Sequence, residues 1–136
     1  MMTRESLEKR YPFTWINQFG IECEAGWFPI LTKLFDLFEV ICIEEQISPA
    51  EITIIQIKEK FGGLRVYYSG PDKIYGRTRK AVRVAEAEAS KTCEVCGVPG
   101  EGCVSNSWHK TVCKEHRTRD NSMAPYVPWR RMPDAG

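Results

Sequence analysis

Two short clusters in the chain carry side chains that can act on one ion together. Cys93 and Cys96 enclose Glu94-Val95, and Cys113 and His116 enclose Lys114-Glu115. Two thiolates with two residues between them point into one tetrahedron when the backbone folds into a tight knuckle, and Gly97 is free to take the positive φ that such a turn uses. The i, i+3 spacing of Cys113 and His116 puts both on one face of the first turn of a helix starting near Lys114. The pattern predicts one structural Zn2+ held by three cysteines and a histidine. Four protein ligands close the tetrahedron and leave no position for water or substrate, so the metal is expected to hold the fold. Cys103 and His109 are the competing ligands, His109 needing an unusual reach from a strand. Trp108 is expected to shield the metal.

The elements that must position these ligands follow from the periodicity. Thr3 to Tyr11 predicts a short helix that Pro12 ends, with Leu7 and Tyr11 facing inward. A loop follows, with an extended piece near Ile21 to Cys23. Trp27, Ile30, Leu31, Leu34, Phe38 and Ile41 mark an amphipathic helix over about Phe28 to Glu45, with Pro29 in its first turn. Cys23 and Cys42 have no partner at metal-ligand spacing and read as free thiols. From Ile52 the β-branched run predicts a strand buried on both faces in its first half. The paired glycines Gly62 and Gly63 then turn it into a hairpin whose second strand faces Leu64, Val66 and Tyr68 one way and Arg65 and Tyr67 the other. Asp72 is expected to cap a basic helix from Lys73 to about Ser90. Val98 to Val104 reads as a loop, Ser105 to Val112 as a strand, and Lys114 to about Asp120 as the ligand-bearing helix.

These elements predict an α+β fold: a small antiparallel sheet or hairpin packed with two main helices, then a treble-clef-like zinc finger. Residues 1–90 would form the core, 91–120 the zinc subdomain, and 121–136 an extended or disordered tail. A chain of 136 residues is about the size of one domain. The longest apolar stretch is broken by Lys33, Asp36 and Glu39, which argues against a membrane span. The first eleven residues carry Arg4, Glu5, Glu8, Lys9 and Arg10, unlike a secretory leader, so a reducing cytoplasm is the expected compartment.

A net charge of +1 hides a strong segregation. Residues 20–51 hold seven acidic side chains against Lys33 alone, and residues 52–83 hold eight basic ones against Glu59 and Asp72. The two halves either pair internally or present a basic face to a polyanion.

The succession Gly26-Trp27-Phe28-Pro29, Lys58-Glu59-Lys60-Phe61-Gly62-Gly63-Leu64-Arg65 with Tyr67, Ala85-Glu86 with Ser90, Cys93-x-x-Cys96-Gly97 and Trp108-x-x-Thr111-x-Cys113-x-x-His116 resembles a family of small uncharacterised proteins carried by bacteriophages and prophages. The resemblance spans roughly residues 20 to 116 and transfers no activity. It implies a phage-encoded protein in a bacterial cytoplasm, where small accessory proteins bind host or defence proteins.

The expected working surface is the hairpin and the basic helix: Lys58, Lys60, Gly62, Gly63, Arg65, Tyr67, Arg77 and Lys80. The glycines would allow close approach to a ligand. The structural alternative places the glycines in the turn, Phe61 and Leu64 in the core, and the charges in solvent or against the acidic helix. Three functions follow. The first is a non-catalytic protein-binding module. The second is a nucleic-acid binder using the same face and the tail residues Arg117, Arg119, Trp129, Arg130 and Arg131. The third, a metal-dependent nuclease of the His-Asn-His type, would have only His109 as base once His116 is a zinc ligand.

Overall fold

The computed structural model describes residues 2–16, 20–118 and 125–129. Arg4–Arg10 form α1, opened by a capping box in which Thr3 and Ser6 exchange side-chain to backbone hydrogen bonds. Such a cap contributes about 1 kcal/mol. Leu7 and Tyr11 are buried as the spacing requires. Thr14–Trp15 (β1) and Ile21–Glu22 (β2) are two short strands separated in sequence. A single 3₁₀ turn, Ala25–Trp27, leads into α2, Phe28–Glu44. Pro29 sits in its first turn, where a missing N–H costs nothing.

Thr53–Lys60 (β3) and Gly63–Ser69 (β4) form the central hairpin, with β1 and β2 paired parallel to β3. The expectation of a strand buried on both faces is corrected here. A bulge between Ile54 and Gln56 breaks the alternation, so Ile54 and Ile57 both face inward while Ile55 is exposed. Lys60 pairs with Gly63, and the turn is Phe61-Gly62, both at positive φ (53° and 81°), as a two-residue hairpin loop demands. Phe61 is therefore not a core residue: it is 73% exposed, while Leu64 is buried as expected.

Asp72–Ala89 form α3. Pro71 is its N-cap and no side chain caps it, so Asp72 lies in the first turn and acts on the helix dipole instead. The helices α2 and α3 pack antiparallel, and Ala81, Val82, Ala85 and Ala89 are buried along α3. Opposite charges join their ends: Lys73 and Arg77 reach Glu45 and Glu44, and Lys33 reaches Glu88. One core gathers Leu7, Tyr11, Phe13, Trp27, Phe35 and Phe38 with the inward residues of the sheet and α3.

Glu101–Ser105 (β5) and Trp108–Val112 (β6) form a second hairpin. The expected loop over 98–104 thus gives way to a strand from Glu101, because Gly100 meets the backbone of Cys93 and Val112 and starts the pairing there. The part of the expected tail within the described residues is extended: Val127–Pro128 (β7) pairs with β5. The described chain is thus an α+β protein with three α-helices and two small sheets. Among the described residues no helix is long and apolar enough to cross a membrane.

Candidate metal centre and binding face

Cys93 and Cys96 come together through the knuckle after α3. The Cys93 N–H donates to the Val98 carbonyl at 2.7 Å and the Gly97 N–H to the Cys93 carbonyl at 2.9 Å. Gly97 has φ +84°, the conformation its type makes cheap. Cys113 lies at the end of β6, and His116 in the 3₁₀ helix Lys114–Thr118. The expected helix is present as this tighter form, and residues 119 and 120 lie outside the described ones. At three residues per turn, i and i+3 eclipse, which brings His116 over Cys113.

The ligand atoms of Cys93, Cys96, Cys113 and His116 all lie within 4.8 Å of one another, and the four could hold a metal ion. A tetrahedron with metal–sulfur bonds of about 2.3 Å and a metal–nitrogen bond of about 2.0 Å has edges of about 3.8 Å between sulfurs and about 3.5 Å from sulfur to nitrogen. The Cys96 and Cys113 sulfurs are 3.8 Å apart, and Cys93 Sγ is 3.6 Å from His116 Nδ1. Cys113 Sγ to His116 Nδ1, at 3.1 Å, is tighter. Burial raises the Cys93 thiol, but the backbone N–H groups of Cys113, Cys96 and Val95 outweigh it and bring it down to about 6. That donor arrangement favours a thiolate, the form a metal binds.

The competing ligands are elsewhere. Cys103 is buried in β5 with its thiol directed at the Glu101 carbonyl, and burial raises its pKa. His109 faces two aromatic rings, Phe61 at 6.2 Å and Trp129 at 4.8 Å between centroids. Trp108 does not cover the Cys/His cluster: it is 69% exposed beside the β5–β6 turn, at the far end of the strand from Cys113. Cys23 and Cys42 are buried thiols whose pKa burial raises, Cys23 to about 12.

What holds the knuckle on the core is a set of contacts that spacing alone did not single out. The Gly26 N–H donates to the Glu94 carbonyl at 2.7 Å and the Trp27 indole N–H to the Thr92 carbonyl at 2.9 Å. A Cβ on Gly26 would overlap the carbonyl oxygens of Cys93 and Glu94. The Glu94 carboxylate, 3% exposed, accepts from the Glu24 N–H and lies 3.5 Å from the Lys110 ammonium, which contacts Glu24 at 2.6 Å. Burial raises the Glu94 pKa even with Lys110 beside it, whereas for Lys110 the two carboxylates outweigh the opposite effect of burial. The only sequence sign of these roles is the position of Glu94 within the cysteine pair.

The expected binding residues divide. Lys58 lies directly opposite Arg65 on the outer face of the first sheet, with the Lys58 ammonium 5.8 Å from the Tyr67 ring. Lys60 and Lys80 are exposed. Gly62 is not open to a ligand. Its N–H donates to the Glu59 carboxylate at 2.6 Å, its carbonyl accepts from Thr111 at 2.7 Å, and β6 packs against it. Gly63 closes the hairpin ladder opposite Lys60. Arg77 is held by Glu44 and Glu45, and Arg117 by Glu101. Arg119, Arg130 and Arg131 lie outside the described residues.

Comparison with protein-family models, with curated proteins and with solved structures found no match.

Proposed function

We propose that the chain is a small zinc-stabilised, non-catalytic module that binds a protein, a bacterial host or anti-phage-defence protein, through the outer face of its first sheet. The observation that carries the non-catalytic reading is the convergence of four side chains on one point. Three thiolates and an imidazole are the donor set of structural zinc, and they fill its tetrahedron. The order of knuckle, hairpin and ligand-bearing turn is that of a treble-clef finger. The phage setting rests on the family resemblance.

The partner class follows from the charges. Part of the positive excess that would draw a polyanion is neutralised internally: Lys73 and Arg77 of α3 pair with Glu45 and Glu44, and Lys110 lies between Glu24 and Glu94. What faces outward mixes Lys58, Lys60 and Arg65 with Tyr67, Ile55 and Phe61, a surface suited to a protein with acidic and apolar side chains. One observation favours nucleic acid instead: Lys58 and Arg65 lie opposite one another beside Tyr67, two cations next to a stacking ring. Nuclease chemistry finds less support, because the ring neighbours of His109 are Phe61 and Trp129.

The test is capture from bacterial lysate on the full zinc-loaded chain and on a Lys58→Glu/Arg65→Glu variant, with and without nuclease treatment. A protein retained by the wild type after nuclease, lost on the variant and held through moderate salt supports the reading. Retention abolished by nuclease, with a steep salt dependence, moves the function to nucleic acid. Equal retention on both baits removes the sheet face from the account.

A further inference from the structure

The two hairpins meet at a small hollow that neither the metal centre nor the outer sheet face uses. Its rim carries three rings from two elements of the fold and the tail. Phe61 comes from the β3–β4 turn, His109 from β6 and Trp129 from the residue after β7. The registers Gly102↔Thr111 and Val104↔His109 put Gly102, Thr111 and His109 on one face of the second sheet. Cys103↔Pro128 and Val104↔Val127 bring Trp129 alongside Gly102 on that face. Because Gly102 has no side chain, a space of about 280 Å3 stays open among these groups. A Cβ added at Gly102 would meet nothing within 4 Å.

Phe61 is the informative residue. It holds φ +53° in a turn where glycine or asparagine is cheaper, and its ring is not rewarded by burial, since it stays 73% exposed. Strain kept at an exposed aromatic residue points to what that residue touches when the protein works. Trp129 is likewise 56% exposed although it packs on His109. At about 280 Å3 the hollow lies at the small end of the range for ligand pockets and takes one large side chain.

We propose that this hollow receives a single apolar anchor side chain, aromatic or leucine-like, from an acidic segment of the protein partner. The acidic flanks are assigned from charge complementarity. The Lys60 ammonium sits 5.9 Å from the Phe61 ring, and Lys58 and Arg65 continue the positive face along the hairpin. The anchor enters between Phe61 and Trp129, and its neighbouring carboxylates meet those cations. This deepens the protein-binding reading and rests on it.

The experiment uses the full zinc-loaded chain and two blocked peptides, Asp-Glu-Trp-Glu-Asp and its counterpart with alanine in place of tryptophan. Binding is followed by calorimetry and by the shift of the Trp129 indole N–H resonance. The tryptophan peptide is expected to bind about tenfold or more tightly than the alanine peptide. Gly102→Leu, whose Cβ meets nothing within 4 Å, puts a side chain into the hollow and should remove that preference while leaving the unfolding midpoint in place. Phe61→Gly relieves the turn, so it should hold or raise the midpoint and still remove the preference. Equal affinity for the two peptides, no binding of either, or an unchanged preference in Gly102→Leu overturns the anchor site. If a captured partner depends on Lys58 and Arg65 but not on Phe61 and Gly102, the anchor fails alone. If it depends on neither pair, the protein-binding reading of this surface fails with it.

Discussion

The backbone of Gly26 lies directly against the carbonyl of Glu94, its N–H donating to it at 2.7 Å, so the entrance to α2 and the cysteine knuckle share one contact. There is no room for a side chain between them. A methyl group at Gly26 must push the knuckle away from the core, and neither backbone can give cheaply. Gly26→Ala is expected to destabilise the fold by about 3 kcal/mol or more. Denaturant unfolding of the zinc-loaded variant measures it, and a loss below about 1 kcal/mol would show that the close approach is tolerant.

Lys110 holds two carboxylates that the fold brings together, Glu24 at 2.6 Å and the buried Glu94 at 3.5 Å. Removing the cation leaves the Glu94 charge buried without its partner. Lys110→Met should cost about 3 kcal/mol, and adding Glu94→Gln should recover a large part of that. Additive losses in the double variant would show that the pair is not coupled.

Chelation separates the two parts of the chain. The second apolar cluster holds only Cys93, Cys103 and Val112 at its centre, with Val95, Cys113 and Tyr126 against it, whereas the first gathers most of the aromatic residues. A cluster that small would depend on a bound metal. On treatment with a strong chelator, limited proteolysis should cut within residues 91–118 first, while the β3–β4 hairpin stays protected. Cleavage spread evenly, or unchanged from the loaded protein, contradicts a structural metal.

The Tyr11 phenol donates to Asp36 at 2.7 Å inside the aromatic core. Burial, then the bond to Asp36, hold its pKa well above the usual tyrosine range. The folded state therefore keeps a proton that the unfolded chain loses at about pH 10. The contribution is complete below that pH and declines as pH rises above it. Wild type should lose stability faster than Tyr11→Phe between about pH 10 and 12. Parallel pH profiles of the two would remove Tyr11 from the alkaline transition.

The parts of this molecule that could be read in its sequence are those fixed by local period and spacing. Leu7 with Tyr11, the α2 face, and the alternation of Leu64, Val66 and Tyr68 against Arg65 and Tyr67 all follow from periods of 3.6 or 2. The four ligands followed from two short spacings and a glycine. What escaped depends on contacts between distant segments. The Ile55 bulge is set by register against β4, and the Glu24–Lys110–Glu94 cluster by residues far apart in the chain. The turn falls one residue earlier than the paired glycines suggest. Pairing Lys60 with Gly63 leaves a loop with positive φ at both centres and puts Phe61, not Gly62, at the first of them.

X-ray absorption at the zinc edge, on the purified chain, tests whether Cys93, Cys96, Cys113 and His116 enclose one zinc ion. One zinc per chain is expected, with three sulfurs at about 2.3 Å and one nitrogen at about 2.0 Å, unchanged by Cys103→Ser or His109→Ala. A different sulfur count, an oxygen from water in the first coordination sphere, or a change on replacing Cys103 or His109 would contradict it.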